Sequence, residues 1–533
     1  MWSRYPIIYE INTWVWLQEL SQKYPGPVTL ATVPGQEWDS IADWHVDALW
    51  LMGVWERSPA GIAITNQNQG LREAFRRALP DYRPEDNVGS PYCVRRYVVD
   101  EHLGGPEGLA VARRELAERG LRLILDFVPN HVAPDHPWVI HHPDYFVLGS
   151  DEDARNNPAS FAQMEGKVFA NGRDPCFPPW RDVLQLNAFQ PGLRQAVIGT
   201  LLDVAGQCDG ARCDMAMLVV NSVFARTWAY RAGQPPATEY WTDVISAVKR
   251  IHPHFLFMAE AYWGLEWELQ QQGFDYCYDK RLYDRLTHDT VESVQLHLCA
   301  DHAYQEKLVR FIENHDEPRA ASVFSPQEER AVALTMATIP GAKLFHEGQF
   351  EGRRIRVPVF LGRRSVEPVD PDLQAFYRTL LKAASRRGLR NGRWRLCERT
   401  GRPDNAGYRN LIAWCWHSVG EHYLIVVNLS SLRAQGWVRP VWDEFRGTTW
   451  QMTDLFTGRE YERGGDEMYA AGLYVDLPPW GYHLLTLVRA KQQVPLPGNE
   501  GRNEEGNQEQ EMALQLWSRL PVSRGRNAER ESE

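Results

Sequence analysis

The chain has 533 residues, 44% of them hydrophobic and 24% charged, with a formal net charge of −11. That length exceeds one ordinary compact domain and suits roughly three or four units, or one large barrel with additions. The acidic balance argues against a nucleic-acid partner, and no apolar run of about 18 residues offers a membrane span.

The composition is that of a soluble globular protein. The start, Met1-Trp2-Ser3-Arg4-Tyr5-Pro6, lacks a basic segment followed by an apolar one, so no secretory leader is read there. The eight cysteines are scattered without CxxC pairs, and Cys93, Cys213, Cys277 and Cys415 sit inside apolar runs. Reduced, buried thiols in a cytoplasmic protein are the expectation. The 21 Trp, 21 Tyr and 19 Phe suit either a large aromatic core or flat faces for sugar rings, and composition leaves both open.

Pro6 to Asn12 reads as a first strand, Gln36 to His45 as a helix, and Val46 to Met52 as a second strand. The stretch from Trp55 to Pro91, rich in Gly, Asn and Pro, reads as a long loop with one basic helical piece near Leu71 to Ala78. The helix Pro106 to Arg119 carries apolar residues at helical spacing and ends at Gly120. Leu121 to Val128 is the third strand, and further strand-like runs lie at 210–217, 254–261, 274–279, 309–314 and 342–347. Eight apolar strands alternating with helices fit a parallel (β/α)8 TIM barrel better than an open sheet.

This assigns 1–131 and 188–392 to the barrel and 132–187 to a loop subdomain inserted after the third strand. Short alternating strands beyond Trp394 read as a C-terminal antiparallel β-sandwich over 393–489. Residues 490–533 are expected to be a disordered polar tail, with one small apolar piece at Met512 to Trp517. No repeat of fixed period is visible.

Catalytic groups of such barrels come from the C-terminal ends of the strands. The third strand ends in Asp126 and runs on to Pro129-Asn130-His131; the fourth carries Arg212 and Asp214. The fifth ends in Glu260, and the seventh leads into Asn314-His315-Asp316. Residues two apart leave the same face of a strand, so Arg212 and Asp214 are expected to lie side by side. A single acidic strand end is well explained as a helix cap, but four converging ends with several carboxylates and two histidines are not.

The set Asp126…Asn130-His131, Gly210…Arg212-Cys213-Asp214, Glu260 and Asn314-His315-Asp316 resembles the four signature regions of the α-amylase family of glycoside hydrolases. Gln185-Leu186-Asn187 and Pro340 to Gln349 agree with it, and the likeness spans roughly Tyr5 to Val488. The resemblance implies Asp214 as nucleophile, Glu260 as general acid and then base, and Asp316 as binder of sugar hydroxyls. It further implies Arg212 holding Asp214 ionised, His131 and His315 donating to the sugar, Tyr92 as a stacking platform, and Arg319 beside the ring. Asp126 and Asn130 would be structural neighbours. A cation beside Asp214 would lower its pKa, while apolar neighbours such as Met258 and Trp263 would raise that of Glu260.

The sequence also departs from the family. Met217 and Leu218 stand where many members have a Lys-His pair that helps to bind glucan and calcium, and Asn130 is read as a structural hydrogen-bonding residue rather than a calcium ligand. No cofactor is expected to be required, with a bound calcium ion as the alternative. His346-Glu347 replaces an aromatic and a glutamine, and the arginines at 353, 354, 356, 363 and 364 read as a solvated basic loop, with a site for an anionic substrate group as the alternative. Gly89-Ser90-Pro91-Tyr92 and Ala133 to Trp138 look like bacterial maltosyltransferase members. The resulting expectation is a retaining α-glycosidase acting on an oligo- or polysaccharide. The alternatives are an α-glucan transglycosylase of the same family and, from a different class, a non-catalytic binding scaffold. Nothing in the sequence fixes the oligomeric state.

Overall fold

A computed structural model describes residues 2–440 and 442–490. Eight parallel strands close into a barrel in chain order: β1 (Ile7–Asn12), β2 (Ala48–Met52), β3 (Arg122–Phe127), β4 (Gly210–Cys213), β5 (Leu256–Ala259), β6 (Tyr276–Tyr278), β7 (Leu308–Arg310) and β8 (Ala342–His346). The register sets Arg212 opposite Asp126 on one side and Met258 on the other. The parallel ladder extends past the ends of β4 and β5, because the Asp214 N–H donates to Phe127 O (2.8 Å) and the Glu260 N–H to Cys213 O (3.0 Å).

Alternation along the strands sorts the apolar residues into two layers. Ile8, Trp50, Met52, Ile124, Met258, Tyr278 and Phe311 belong to the cluster that fills the barrel lumen. Ile7, Ile11, Leu49, Leu123, Leu125, Ala211, Cys213 and Phe257 belong to a second cluster beneath the helices. Gly210 allows a close approach between strands: a Cβ there would lie 2.9 Å from Leu256 O. The helix Gly105–Glu118 buries Leu109, Ala112 and Leu116, and the chain leaves it through Gly120 at φ 75°. That left-handed turn is natural for glycine at a helix C-terminus.

The stretch from Trp55 to Pro91 holds two helices: Gln69–Ala78, where one helical piece was expected, and Pro59–Gln67, where loop was expected. Their starts are fixed by side-chain caps, Ser58 Oγ accepting from the Gly61 N–H and Asn68 Oδ1 from the Leu71 N–H. Capping of this kind stabilises a short helix by about 1 kcal/mol, and the second helix also packs Leu71, Phe75 and Ala78 into a cluster with Leu361. A further helix, Thr13–Lys23, follows β1 directly and is capped by Asn12.

Between β3 and β4 the chain makes a four-stranded sheet from His131–Val132, Trp180–Gln185, Lys167–Gly172 and Phe161–Met164, in that order. After the barrel come β9 (Arg393–Leu396), β10 (Glu398–Thr400), β11 (Leu411–Ser418), β12 (Glu421–Asn428), β13 (Ala434–Arg439), β14 (Thr449–Asp454), β15 (Glu460–Gly464), β16 (Leu473–Leu477) and β17 (Tyr482–Arg489). They form a six-stranded sheet, β9-β11-β12-β17-β14-β15, and a three-stranded sheet, β10-β13-β16. Ala413, Cys415, Leu424 and Val426 of the first share a buried cluster with Val438, Val475 and Leu477 of the second, as in a sandwich core.

All eight cysteines are free thiols, and Cys93, Cys213, Cys277 and Cys415 are buried. Among the described residues no helix is long and apolar enough to cross a membrane. The tail expected to be disordered, with its apolar piece at Met512 to Trp517, lies outside the described residues apart from Ala490.

Candidate active site

The C-terminal ends of β3, β4, β5 and β7 bring Asp126, Arg212, Asp214, Glu260, His315 and Asp316 to one place. A cavity of about 340 Å³ opens there, lined by Tyr92, His131, Asp214, Met215, Glu260 and Asp316 together with Trp180, Asp182, Val359 and Phe360. At its floor Arg212 is fully buried. One guanidinium touches both carboxylates, with Nη1 2.7 Å from Asp214 Oδ1 and Nη2 2.7 Å from Glu260 Oε2. Asp126 Oδ1 lies 3.9 Å from the same Nη1. Arg212 also faces the rings of Trp50, Tyr92 and Tyr278 at 5.3, 5.0 and 5.8 Å, a π-rich setting that favours the cation.

The strand ends are shaped for this convergence. Met215, the residue after Asp214, has φ 41°, a left-handed conformation that costs a non-glycine residue roughly 1–2 kcal/mol. The turn aims the Met215 N–H at Glu260 Oε2, 2.6 Å away. Tyr262 donates to the other oxygen, Oε1, at 2.8 Å. Asp126 accepts from the Gly53 N–H (2.8 Å) and so ties β2 to the floor of the site.

Burial pushes the Glu260 carboxyl up to about 7, against the pull of Arg212 and with the help of the Asp214 and Asp316 charges. Asp214 is also displaced upward, by burial first, with Arg212 opposing. This corrects the expectation that the neighbouring cation would lower Asp214: desolvation outweighs one shared guanidinium. Burial of the carboxyl itself raises Glu260, not contact with Trp263, which is 42% exposed.

Asp316 sits at the rim, its side chain 46% exposed, with Oδ2 3.0 Å from His315 Nε2. Although burial opposes it, the charge and hydrogen bond of His315 hold Asp316 well below the usual carboxylate range. His315 is itself pulled upward: burial lowers its pKa, but Asp316 on one side and Glu10 on the other outweigh that. Its Nδ1 contacts Glu10 Oε1, and its Nε2 also lies 2.7 Å from Tyr92 Oη. Glu10 is thus a missing member of the set, and its signal was available: a glutamate inside the otherwise apolar run Ile7 to Ile11.

His131 lines the cavity, packs against Trp180 with ring centroids 5.3 Å apart, and is driven down to about 4 by burial, which leaves it neutral. Trp180 and Asp182 come from the inserted sheet and had no sequence signal beyond an aromatic and an acid in a strand. Arg319 departs from the expected position. It is 1% exposed and does not line the cavity. Its Nη1 donates to Glu313 Oε1 (2.7 Å) and Glu347 O (2.7 Å) and lies 2.9 Å from His346 Nδ1. A buried glutamate just beyond β7 is matched by this cation.

The basic loop is likewise not a freely solvated one. Arg353 and Arg364 pair with Glu19, Arg364 also with Glu347, and Arg363 with Asp81 and Asp86. Arg356 donates to the Asp316 main-chain carbonyl at 2.6 Å. Three of the five arginines are thus neutralised by carboxylates, while Arg354 and Arg356 are exposed.

The oxygen atoms of Asn130 are taken up internally: Gln185 Nε2 donates to both its carbonyl and its Oδ1 at 2.9 Å. Among the described residues one group of His, Cys, Asp or Glu has ligand atoms mutually within 4.8 Å, namely His417, His422 and Glu444. None of the three lines the cavity.

The alpha-amylase catalytic-domain family model matches residues 39–355. The chain is 23% identical over 395 residues to Alpha-amylase MalA of Haloarcula japonica, covering 72% of this chain and 49% of that protein. It is 27% identical over 204 residues to an alpha-1,4-glucan:maltose-1-phosphate maltosyltransferase of Bifidobacterium longum, covering 36% of this chain and 23% of that protein. The chain therefore spans about half or less of the length of these two relatives. A maltogenic alpha-amylase, AmyB of Thermotoga neapolitana, superposes with a TM-score of 0.64 at 18% identity, covering 91% of this chain and 99% of that one. At that identity the likeness speaks for the fold.

Proposed function

The chain belongs to the alpha-amylase family, and from that premise we propose that it cleaves α-glucosidic bonds of α-glucans or malto-oligosaccharides with retention at the anomeric carbon. The observation that carries this reading is Arg212 shared between Asp214 and Glu260 at the floor of the cavity, with burial holding Glu260 at about 7. A glycosidic bond breaks through an oxocarbenium-like state, which needs a carboxylic acid on the leaving oxygen and a carboxylate at the anomeric carbon.

In the first step Asp214 attacks the anomeric carbon while Glu260 gives its proton to the departing oxygen. A covalent glycosyl-enzyme forms, and the sugar beyond the cleaved bond leaves with that proton. In the second step Glu260, now a carboxylate, takes a proton from water, whose oxygen attacks the same carbon and frees Asp214. Sharing one guanidinium keeps the two carboxyl groups close together, as retention requires. Asp316, kept ionised by His315, accepts hydrogen bonds from the hydroxyls of the bound ring. Tyr92 offers it a flat face, and His131 adds a neutral hydrogen-bonding edge.

Transfer to a second sugar uses the same covalent species, and the similarity to a maltosyltransferase favours testing for it directly. The chain would be incubated with maltoheptaose, pullulan, glycogen, trehalose and sucrose, with and without phosphate, and the products separated by chromatography. Shorter products alone indicate hydrolysis; longer ones as well indicate transfer. Either should vanish in Asp214→Asn. No product from any donor would overturn the α-glucan reading and leave the binding-scaffold alternative.

A further inference from the structure

The hairpin β11–β12 turns through Val419 and Gly420, with Gly420 at φ 78°. This tight turn sets His417 directly opposite His422 across the strand pair. Both lie on the face that carries Cys415 and Leu424, so both side chains stand at the end of the core between the two C-terminal sheets. The imidazole rings are stacked, with centroids 4.6 Å apart and planes at 21°. Trp442 and Trp450 hold the His422 ring edge to face, at 4.9 and 5.0 Å.

Glu444 faces this pair from the short turn Asp443–Phe445, and the turn is anchored beside it by the fully buried Phe445. Its carboxylate is divided between the two rings. Oε1 lies 3.6 Å from His417 Nε2, and Oε2 lies 3.0 Å from His422 Nε2. The nearby Arg489 donates to the Glu444 main-chain carbonyl at 3.5 Å.

A single carboxylate–histidine hydrogen bond would need only one ring. Here two rings from paired strands converge on one carboxylate, and their spacing has a chemical meaning. Ligand atoms about 2.0–2.1 Å from a tetrahedral ion are about 3.4 Å from one another. The two N···O separations, one to each carboxylate oxygen, bracket that value, and one ligand atom from each residue lies within 4.8 Å of the other two. Two imidazole nitrogens and one carboxylate oxygen form a donor set suited to zinc and its borderline neighbours, and poorly suited to calcium or magnesium. Partial exposure of His417 and Glu444, at 34% and 40%, leaves an entry path and room for a water as fourth ligand.

We propose that His417, His422 and Glu444 form a divalent transition-metal site, of the zinc type, that clamps the β11–β12 hairpin to the Asp443–Phe445 turn at the end of the sandwich core. The site is independent of the chemistry at the barrel mouth. Its role is to join two segments otherwise linked by apolar contacts and one charge-assisted hydrogen bond.

The test uses the full chain, stripped of metal with a chelator and titrated with Zn2+ alone, and then with Co2+ as a coloured probe. Equilibrium dialysis should show a saturable equivalent that is lost, or weakened at least 100-fold, in His417→Ala, His422→Ala and Glu444→Gln. The Co2+ visible spectrum should carry intense low-coordinate bands in the wild type that disappear in each variant. Zn2+ should raise the thermal midpoint of the wild type and leave that of His417→Ala where it was. Glycoside cleavage should be unchanged in all three. The exposed thiols Cys176 and Cys299 could bind zinc independently, so the decisive quantity is the equivalent that depends on the two histidines. If no saturable equivalent forms, or if it survives both histidine substitutions in chains with unchanged circular dichroism, the proposal is overturned.

Discussion

The barrel mouth and the layer behind β6 and β7 each bury several charges, but in different proportions. At the mouth one guanidinium, Arg212, serves Asp214, Glu260 and the more distant Asp126. Behind the barrel one carboxylate, Asp279, takes Arg310, His297 (2.9 Å) and the Leu282 N–H (3.1 Å). Burial raises all three mouth carboxyls, with Arg212 opposing in each case. Burial acts upward on Asp279 as well, yet His297 and Arg310 overcome it and hold that carboxyl far below the usual range. The same desolvation therefore has opposite outcomes, decided by the ratio of partners to charges. A surplus of carboxylates at the mouth suits the proton transfer proposed there, and a saturated carboxylate suits a structural pair.

The comparison breaks most sharply under paired substitutions. Asp214→Asn should lower kcat on the order of 10⁴-fold while leaving the urea midpoint unchanged or raised, because it removes one claimant on Arg212. Asp279→Ala should do the reverse: it leaves Arg310 buried and unpaired, so the unfolding free energy should fall by about 3–5 kcal/mol with kcat of the folded enzyme near wild type. An unstable Asp214→Asn beside an unaffected Asp279→Ala would invert the assignment.

Next in size is pH dependence. The profile of kcat/KM should fall as pH rises through about 7, where Glu260 loses the proton that the proposed mechanism has it donate. It should also fall on acidification as Asp214 gains a proton. Stability follows from the same shift. Between 4.5, the ordinary glutamate value, and about 7, folded Glu260 keeps a proton that the unfolded chain has released, so stability falls as pH rises through that window. Glu260→Gln should flatten the slope, which urea melts at a series of pH values would measure.

Smaller still is Tyr262→Phe. The Tyr262 hydroxyl donates to Glu260 Oε1 and so favours the ionised form. Removing a hydrogen bond of about 1 kcal/mol should move the alkaline limb upward by about half a unit to one unit and cost less than tenfold in kcat. A limb that moves downward would mean that the hydroxyl serves the protonated acid instead.

Much of this was legible in the chain. The eight strands stand out because parallel strands covered on both faces are short apolar runs, and a charge at the end of such a run is conspicuous; Asp126, Arg212, Asp214, Glu260 and Asp316 were all found that way. Of the two helices between β2 and β3, Gln69–Ala78 was legible from the basic helical piece near Leu71 to Ala78, whereas Pro59–Gln67 was hidden because its start depends on the Ser58 cap and it buries only Gly61 and Thr65. Arg319 lies away from the cavity because a motif fixes its position in sequence but not the direction of a long side chain, and Glu313, six residues earlier, pairs with it.

The sequence by itself determined the barrel, the family likeness and the residues at its strand ends, since these follow from period-two alternation and from local spacing. Tertiary structure alone decided which distant groups meet them. Closure of β1 against β8 brings Glu10 to His315, and the inserted sheet carries Trp180 and Asp182 to the cavity. A two-residue turn stacks His417 on His422 before Glu444. Balance of charge among buried groups depends on such meetings, because desolvation and Coulomb forces act over a few ångströms in space and take no account of separation along the chain.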